Sequence, residues 1–149
     1  MATYYIRQTG NDSNAGTSPA LAWRTFGKAL GAAGLSSGDT VYIGAGVYRE
    51  VVTVAMTSAT AETSIIGDID GSKTGDAGEI QWTNNLINDE TLPTTNAFPP
   101  LDLNARDFLT FKNISFISGR AQVITATAGV VSTDIKFINC LLLSYANGS

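Results

Sequence analysis

Asp68, Asp70 and Glu79 occupy places 1, 3 and 12 of the stretch Asp68-Ile69-Asp70-Gly71-Ser72-Lys73-Thr74-Gly75-Asp76-Ala77-Gly78-Glu79. Carboxylates at those places are what a calcium loop uses, so calcium is the one cofactor the sequence admits. The competing reading is a solvated turn. Glycine falls at place 4, and Lys73 stands at place 6, where a helix-flanked calcium loop needs glycine for its sharp bend. Asp12 and Asn14 offer further oxygens but read as residues of Asx turns. The chain contains no histidine, which excludes Ser-His-Asp and Cys-His catalysis and any His-ligated metal.

Other candidate chemistry reads more simply as structure. Gly44-x-Gly46 follows a strand pattern, but another strand pattern follows in place of a helix, so this is a chain corner and not a dinucleotide loop. Asp102 and Asp107 are the only close acidic pair outside the turns, and Asp107 beside Arg106 reads as a surface ion pair, as does Arg49 with Glu50. Tyr42 and Trp82 are the candidate platforms for stacking on sugar rings, with Trp82 preferred because it ends a strand before a long polar loop. Cys140, the single cysteine, lies among Phe137, Ile138, Leu141 and Leu142 and reads as a small buried hydrophobe.

The 149 residues suit one domain, with no disulfide or multi-cysteine metal site to staple it. Charged residues make up 15% and the net charge is −4, which argues against an electrostatic grip on nucleic acid or anionic lipid. No apolar run reaches transmembrane length, and no basic-then-apolar leader opens the chain.

The elements that must position these residues are mainly strands. Runs from Tyr4-Tyr5-Ile6 through Val41–Ile43, Val51–Val54, Ser64–Ile66, Ile80–Trp82, Leu101–Leu103, Leu109–Phe111, Ile114–Ile117, Val123–Thr125 and Ile135–Ile138 to Leu141–Leu143 are rich in β-branched and aromatic residues. One helix is expected near the start, with Trp23, Phe26, Leu30 and Ala33 on its apolar stripe, Ser18 or Thr25 as its cap and Gly34 as its end. Phe111-Lys112-Asn113-Ile114 repeats as Phe137-Ile138-Asn139-Cys140, 26 residues on, which suits one turn of a coil in which Asn113 and Asn139 stack their amides. The same template placed earlier sets Ile66 beside Phe111 and Asp68 beside Asn113. The expected fold is therefore all-β: a short parallel β-helix, with residues 1–38 as strand, loop and capping helix, and residues 39–149 as coils interrupted by loops near 68–78 and 84–100.

Tyr4-Tyr5-Ile6, Gly10-Asn11-Asp12-Ser13-Asn14-Ala15-Gly16, Ser18-Pro19, Ala22-Trp23-Arg24-Thr25, Lys28-Ala29-Leu30 and Gly38 to Glu50 together resemble the N-terminal cap and first coil of right-handed parallel β-helix proteins of the pectate-lyase-like superfamily. The resemblance implies right-handed winding and a helix laid across the first coil, while Trp23 on its apolar stripe and Gly44 and Gly46 at the corner read as structural from the residues themselves. That superfamily includes polysaccharide lyases and hydrolases, phage tailspikes and decoration proteins, so fold alone does not select an activity. The expectation drawn is a non-catalytic structural module, a decoration or tail protein of a phage virion or another extracellular surface. Its partners would be other subunits meeting an uncapped C-terminal end, and possible polysaccharide. The alternative is the N-terminal part of a polysaccharide lyase or hydrolase, or a carbohydrate-binding β-helix protein.

Overall fold

The computed structural model describes residues 1–57, 59–84, 99–119, 122–126 and 131–144. The chain is all-β in the broad sense, with strands in parallel sheets and very little helix. Strand β1 (Thr3–Ile6) opens the chain, and a single helical turn, α1 (Phe26–Ala29), follows a short 3-10 turn at Pro19–Leu21. The strands then come in groups: β2 (Thr40–Ile43), β3 (Gly46–Arg49) and β4 (Val52–Thr53); β5 (Thr63–Gly67), β6 (Ile80–Thr83) and β7 (Leu101–Asp102). Next are β8 (Leu109–Lys112), β9 (Ser115–Ser118) and β10 (Ile124–Thr125), and finally β11 (Ile135–Ile138) and β12 (Leu141–Ser144).

Each of the first three groups sends one strand to each of three sheets, and the last sends β11 to the first and β12 to the second. The first sheet runs β1-β2-β5-β8-β11, the second β3-β6-β9-β12 and the third β4-β7-β10, with every pairing parallel. Parallel neighbours cannot be joined by tight hairpins, so the chain has to leave a sheet and return before adding its next strand. Along the first sheet Val41, Ile65 and Phe111 fall in one register row and are fully buried, while Tyr42 and Ile66 on the opposite face are half-buried. In the second sheet Tyr48, Trp82, Phe116 and Leu142 align. The inward rows meet in one core, through which aromatic contacts run from Phe26 on Trp82 (centroids 4.0 Å apart) to Phe116 (5.4 Å) and from Phe111 to Phe137 (5.2 Å).

The start of the chain departs from expectation. The helical stripe is only one turn of α-helix, and both proposed caps are used: Ser18 Oγ accepts from Leu21 N in the 3-10 turn, and Thr25 Oγ1 accepts from Lys28 N in α1. Trp23 precedes the helix and pairs with Ile6 as an isolated bridge, its ring stacked on Tyr4 at 4.7 Å. Gly34 donates to Gly31 O as the chain turns, and glycines at 27, 31 and 34 leave too few side chains to sustain a longer helix.

Two register readings are also corrected. A strand, β3, lies between the Thr40–Ile43 run and the Val51–Val54 run, so the corner at Gly44 and Gly46 joins β2 to β3, and Val52–Thr53 belongs to the third sheet. Glycine at its first place and the polar run Arg49-Glu50 at its end hid that strand. The partner of Phe111 is Ile65, not Ile66, which sets Gly67 rather than Asp68 in the row of Asn113. A one-residue slip would have turned Ile66 inward and Ile65 out.

Candidate functional site

Two regions hold groups that the fold does not consume. The first is a shallow cleft of about 300 Å3 on the outer face of the first sheet. Tyr42 of β2, Ile66 and Gly67 of β5 and Asn113 after β8 form its floor, and the loop carrying Asp70 and Lys73 forms its wall. Tyr42 points outward by the strand alternation that buries Val41 and Ile43. The Lys73 ammonium lies 5.8 Å from its ring centroid, a cation–π distance. Asp70 Oδ1 accepts from Ser72 N at 3.0 Å, and that backbone bond leads the effects holding its carboxyl below the usual range.

The loop wall is built locally. Asp68 Oδ2 accepts from Lys73 N, Thr74 N and Thr74 Oγ1 at 3.0, 2.6 and 2.7 Å, which makes Asp68 a loop organiser. The loop is tied to the first strand by a two-bond ion pair, Arg7 Nε and Nη2 to Asp76 at 2.6 and 2.7 Å. Gly44 lies under it, where a Cβ would sit 2.8 Å from Asp76 Oδ2. Gly46, with φ of 149°, leaves no room for a Cβ beside Gln8, 2.4 Å away. These glycines therefore serve close approach of chain segments.

The calcium set is not assembled. Glu79 turns away to the second sheet, where its Oε1 accepts from Ser115 Oγ at 2.8 Å and its Oε2 from Gln81 Nε2 at 3.2 Å. Strand β6 begins at Ile80, and its register on β9 carries Glu79 off the loop that holds Asp68 and Asp70. Among the described residues no group of three His, Cys, Asp or Glu side chains is placed to hold a metal ion.

Trp82 is likewise corrected as a sugar platform: it is fully buried, stacked on Phe26, with its Nε1 donating to Glu50 O at 3.1 Å. Its place in the inward row of the second sheet takes both ring faces from solvent. Glu50 and Asp107 are not ion-paired with their sequence neighbours as expected. The Glu50 carboxylate accepts from Phe26 N and Gly27 N, both at 2.9 Å, and Asp107 Oδ1 accepts from Thr133 N at 2.6 Å. Glu50 thus takes two amides left open at the start of α1, earlier in the chain, and Asp107 takes one from the segment that leads into β11. Lys73 is the cleft residue that sequence reasoning missed as a ligand group, although its misfit at place 6 of the calcium pattern was the visible signal.

The second region is the end of the stack. Asn113 and Asn139, with φ of 58° and 51°, both adopt the left-handed conformation that asparagine tolerates, at the bend leaving the first sheet. Asn113 Nδ2 donates to Gly67 O at 3.2 Å and Asn139 Nδ2 reaches Asn113 Oδ1 at 3.5 Å, the long limit of a hydrogen bond. Among the described residues β11 and β12 each have one strand neighbour, and Ile138, Leu141 and Leu142 are 42, 48 and 47% exposed. Cys140 is half-buried, its thiol pushed up by burial, with Sγ donating to Phe111 O.

No family model matches the chain, and neither a curated protein nor a solved structure matches it. No helix among the described residues is long and apolar enough to cross a membrane.

Proposed function

We propose that the three parallel sheets are the sides of a short right-handed parallel β-helix, capped at its β1 end, and that this module serves as a non-catalytic structural part of a surface assembly. A virion decoration or tail protein is the setting that the sequence resemblance favours. The observation that carries the reading is the order of visits: on three successive passes the chain enters first, second and third sheet in the same sequence, and β11 and β12 begin a fourth in that order, with parallel pairing every time. Supporting it, Asn113 and Asn139 continue one another across passes, and inward aromatics stack along the same direction. Partner subunits would meet the β11–β12 end; nucleic acid and bilayer have no part in the reading.

Cysteine pairs introduced at register partners test the winding: Thr40 with Ser64, Gln81 with Ser115, and Thr53 with Asp102, one pair per sheet. All three disulfides should form together in folded protein, and failure of any pair under oxidising conditions defeats the winding. The non-catalytic role is tested on a panel of acidic polysaccharides with and without calcium, where cleavage would replace it with the lyase reading.

The cleft at Tyr42 favours a second reading, carbohydrate binding. An aromatic face beside a carboxylate and an ammonium suits the C–H face and hydroxyls of a pyranose ring. A glycan array probed with the protein and with Tyr42→Ala would show it as a signal lost in the variant.

A further inference from the structure

The outer face of the first sheet carries two rows that run across the strands. One is Tyr5, Tyr42, Ile66 and Lys112, and beside it runs Thr3, Thr40, Ser64 and Thr110. Both rows turn outward because the alternate places, held by Ile6, Val41, Ile65 and Phe111, are buried. The Tyr5 and Tyr42 rings are half-buried, with centroids 6.2 Å apart and planes 33° apart, so the aromatic floor of the Tyr42 cleft continues onto β1. Thr3 is exposed and Thr40 and Ser64 are half-buried, which gives their hydroxyls access to the same surface. Charge is balanced here: Arg7 pairs with Asp76, Lys136 pairs with Glu62, and the Asp68 and Asp70 carboxylates beside Lys73 also offset Lys112. A face with carboxylates beside its cations has little pull on a polyanion.

We infer that this face binds a neutral oligosaccharide of equatorially linked pyranoses, laid across the strands with one unit on Tyr42 and the next on Tyr5. The inference rests on the carbohydrate reading of the cleft and adds the ligand class and a second platform. A pyranose with equatorial hydroxyls and linkages presents flat C–H faces, on which aromatic rings stack, and sends its hydroxyls sideways. Neighbouring strands lie about 4.8 Å apart, close to the length of one unit in such an extended chain, so rings on neighbouring strands meet neighbouring units. The sideways hydroxyls then reach Thr3, Thr40 and Ser64 on one flank, and Asp70 and Lys73 on the flank where β5 runs out into its loop. The Lys73 ammonium, 5.8 Å from the Tyr42 ring centroid, is placed to donate to a hydroxyl of the unit on that ring. An α-linked chain curves away from the row of rings, and a polyuronate meets the Asp70 carboxylate.

Isothermal titration of the full chain with cellohexaose, cellobiose, glucose, maltohexaose and hexagalacturonate tests this. Cellohexaose is expected to saturate the protein, and cellobiose to bind about three- to tenfold more tightly than glucose, the worth of one added ring stack. Maltohexaose and hexagalacturonate should bind no better than glucose. Tyr5→Ala should bring cellobiose down to the affinity of glucose, Tyr5→Phe should keep the gain, and Thr40→Val should weaken cellobiose several-fold, on the order of one hydrogen bond. Gln81→Ala, on the second sheet, should change nothing. Equal affinity for cellobiose and glucose, hexagalacturonate matching cellohexaose, or a Tyr5→Ala protein that keeps the cellobiose gain would overturn the inference. So would loss of binding in Gln81→Ala, since the ligand would then lie on another face. If no saccharide binds, the carbohydrate reading of the cleft fails with it. If glucose binds and is lost in Tyr42→Ala while Tyr5→Ala has no effect, that reading stands and the second platform is wrong.

Discussion

The first and last described strands of the sheets differ in how far the core beside them is covered. At the β1 end, Gly16, Trp23 and α1 take up the outer edge and the core cross-section: Trp23 stacks on Tyr4, Phe26 covers Trp82, and Leu30 O accepts from Ala55 N and Met56 N. Two carboxylates from distant loops complete the cover, with Asp12 accepting from Arg24 N and Thr25 N, and Glu50 from the next two amides. At the β11–β12 end the inward residues Phe137 and Leu142 keep part of their surface in water. The described residues therefore leave more apolar surface in water at one end of the sheets than at the other.

Paired aromatic truncations should give the largest effect. Phe111→Ala is expected to cost about 3–5 kcal/mol by urea denaturation, and Phe137→Ala about half of that or less, because its ring is only partly removed from water. Equal costs would mean that Phe137 is covered in solution, and the contrast between the ends would break.

Next comes the asparagine ladder. Asn113→Ala loses the bond to Gly67 O and places a β-carbon without local hydrogen bonding at φ of 58°, an expected loss of about 1–2 kcal/mol. Asn113→Gly should recover the backbone share of that loss. Asn139→Ala is expected to cost less, since its side chain makes the single long contact to Asn113.

The smallest effects concern charge at the closed end and have opposite signs with pH. Burial pushes the Glu50 carboxyl up, against the lowering by the Gly27 and Phe26 amides. Its favourable contribution is therefore full below its ordinary value of 4.5 and fades as pH rises through the raised one. The Arg7 guanidinium, chiefly through its hydrogen bonds, holds Asp76 below its ordinary 3.8, so that contribution is present above 3.8 and is lost as pH falls through the depressed value. Urea midpoints from pH 3 to 7 should flatten on the upper side in Glu50→Gln and on the acid side in Asp76→Asn. Arg7→Ala should cost about 0.5–1 kcal/mol at neutral pH, less at high salt, because the pair is partly exposed.

Much of this was legible in residue patterns. The period joining Phe111-Lys112-Asn113 to Phe137-Ile138-Asn139 is the observed register of β8 on β11, because the interval between those passes holds no long insertion. The earlier interval was misread by one residue, since polar loops of unequal length separate β5 from β8 and no local signal counts them. Tyr42 was legible as an outward aromatic from its alternation with Val41 and Ile43, whereas Trp82 was misplaced because a polar loop after a strand says nothing about which face of the strand is covered.

The sequence by itself determined the strands other than β3, the turn residues, both local caps and the repeat that aligns the last two passes, for these depend on neighbours within a few residues or on one spacing repeated inside the chain. Tertiary structure alone decided which carboxylates cap which amides, sent Glu79 to Ser115 and away from Asp68, and buried Trp82 beneath Phe26. Those outcomes join residues from 23 to 56 positions apart, so they follow from how one pass of the chain lies on another, which no local pattern encodes.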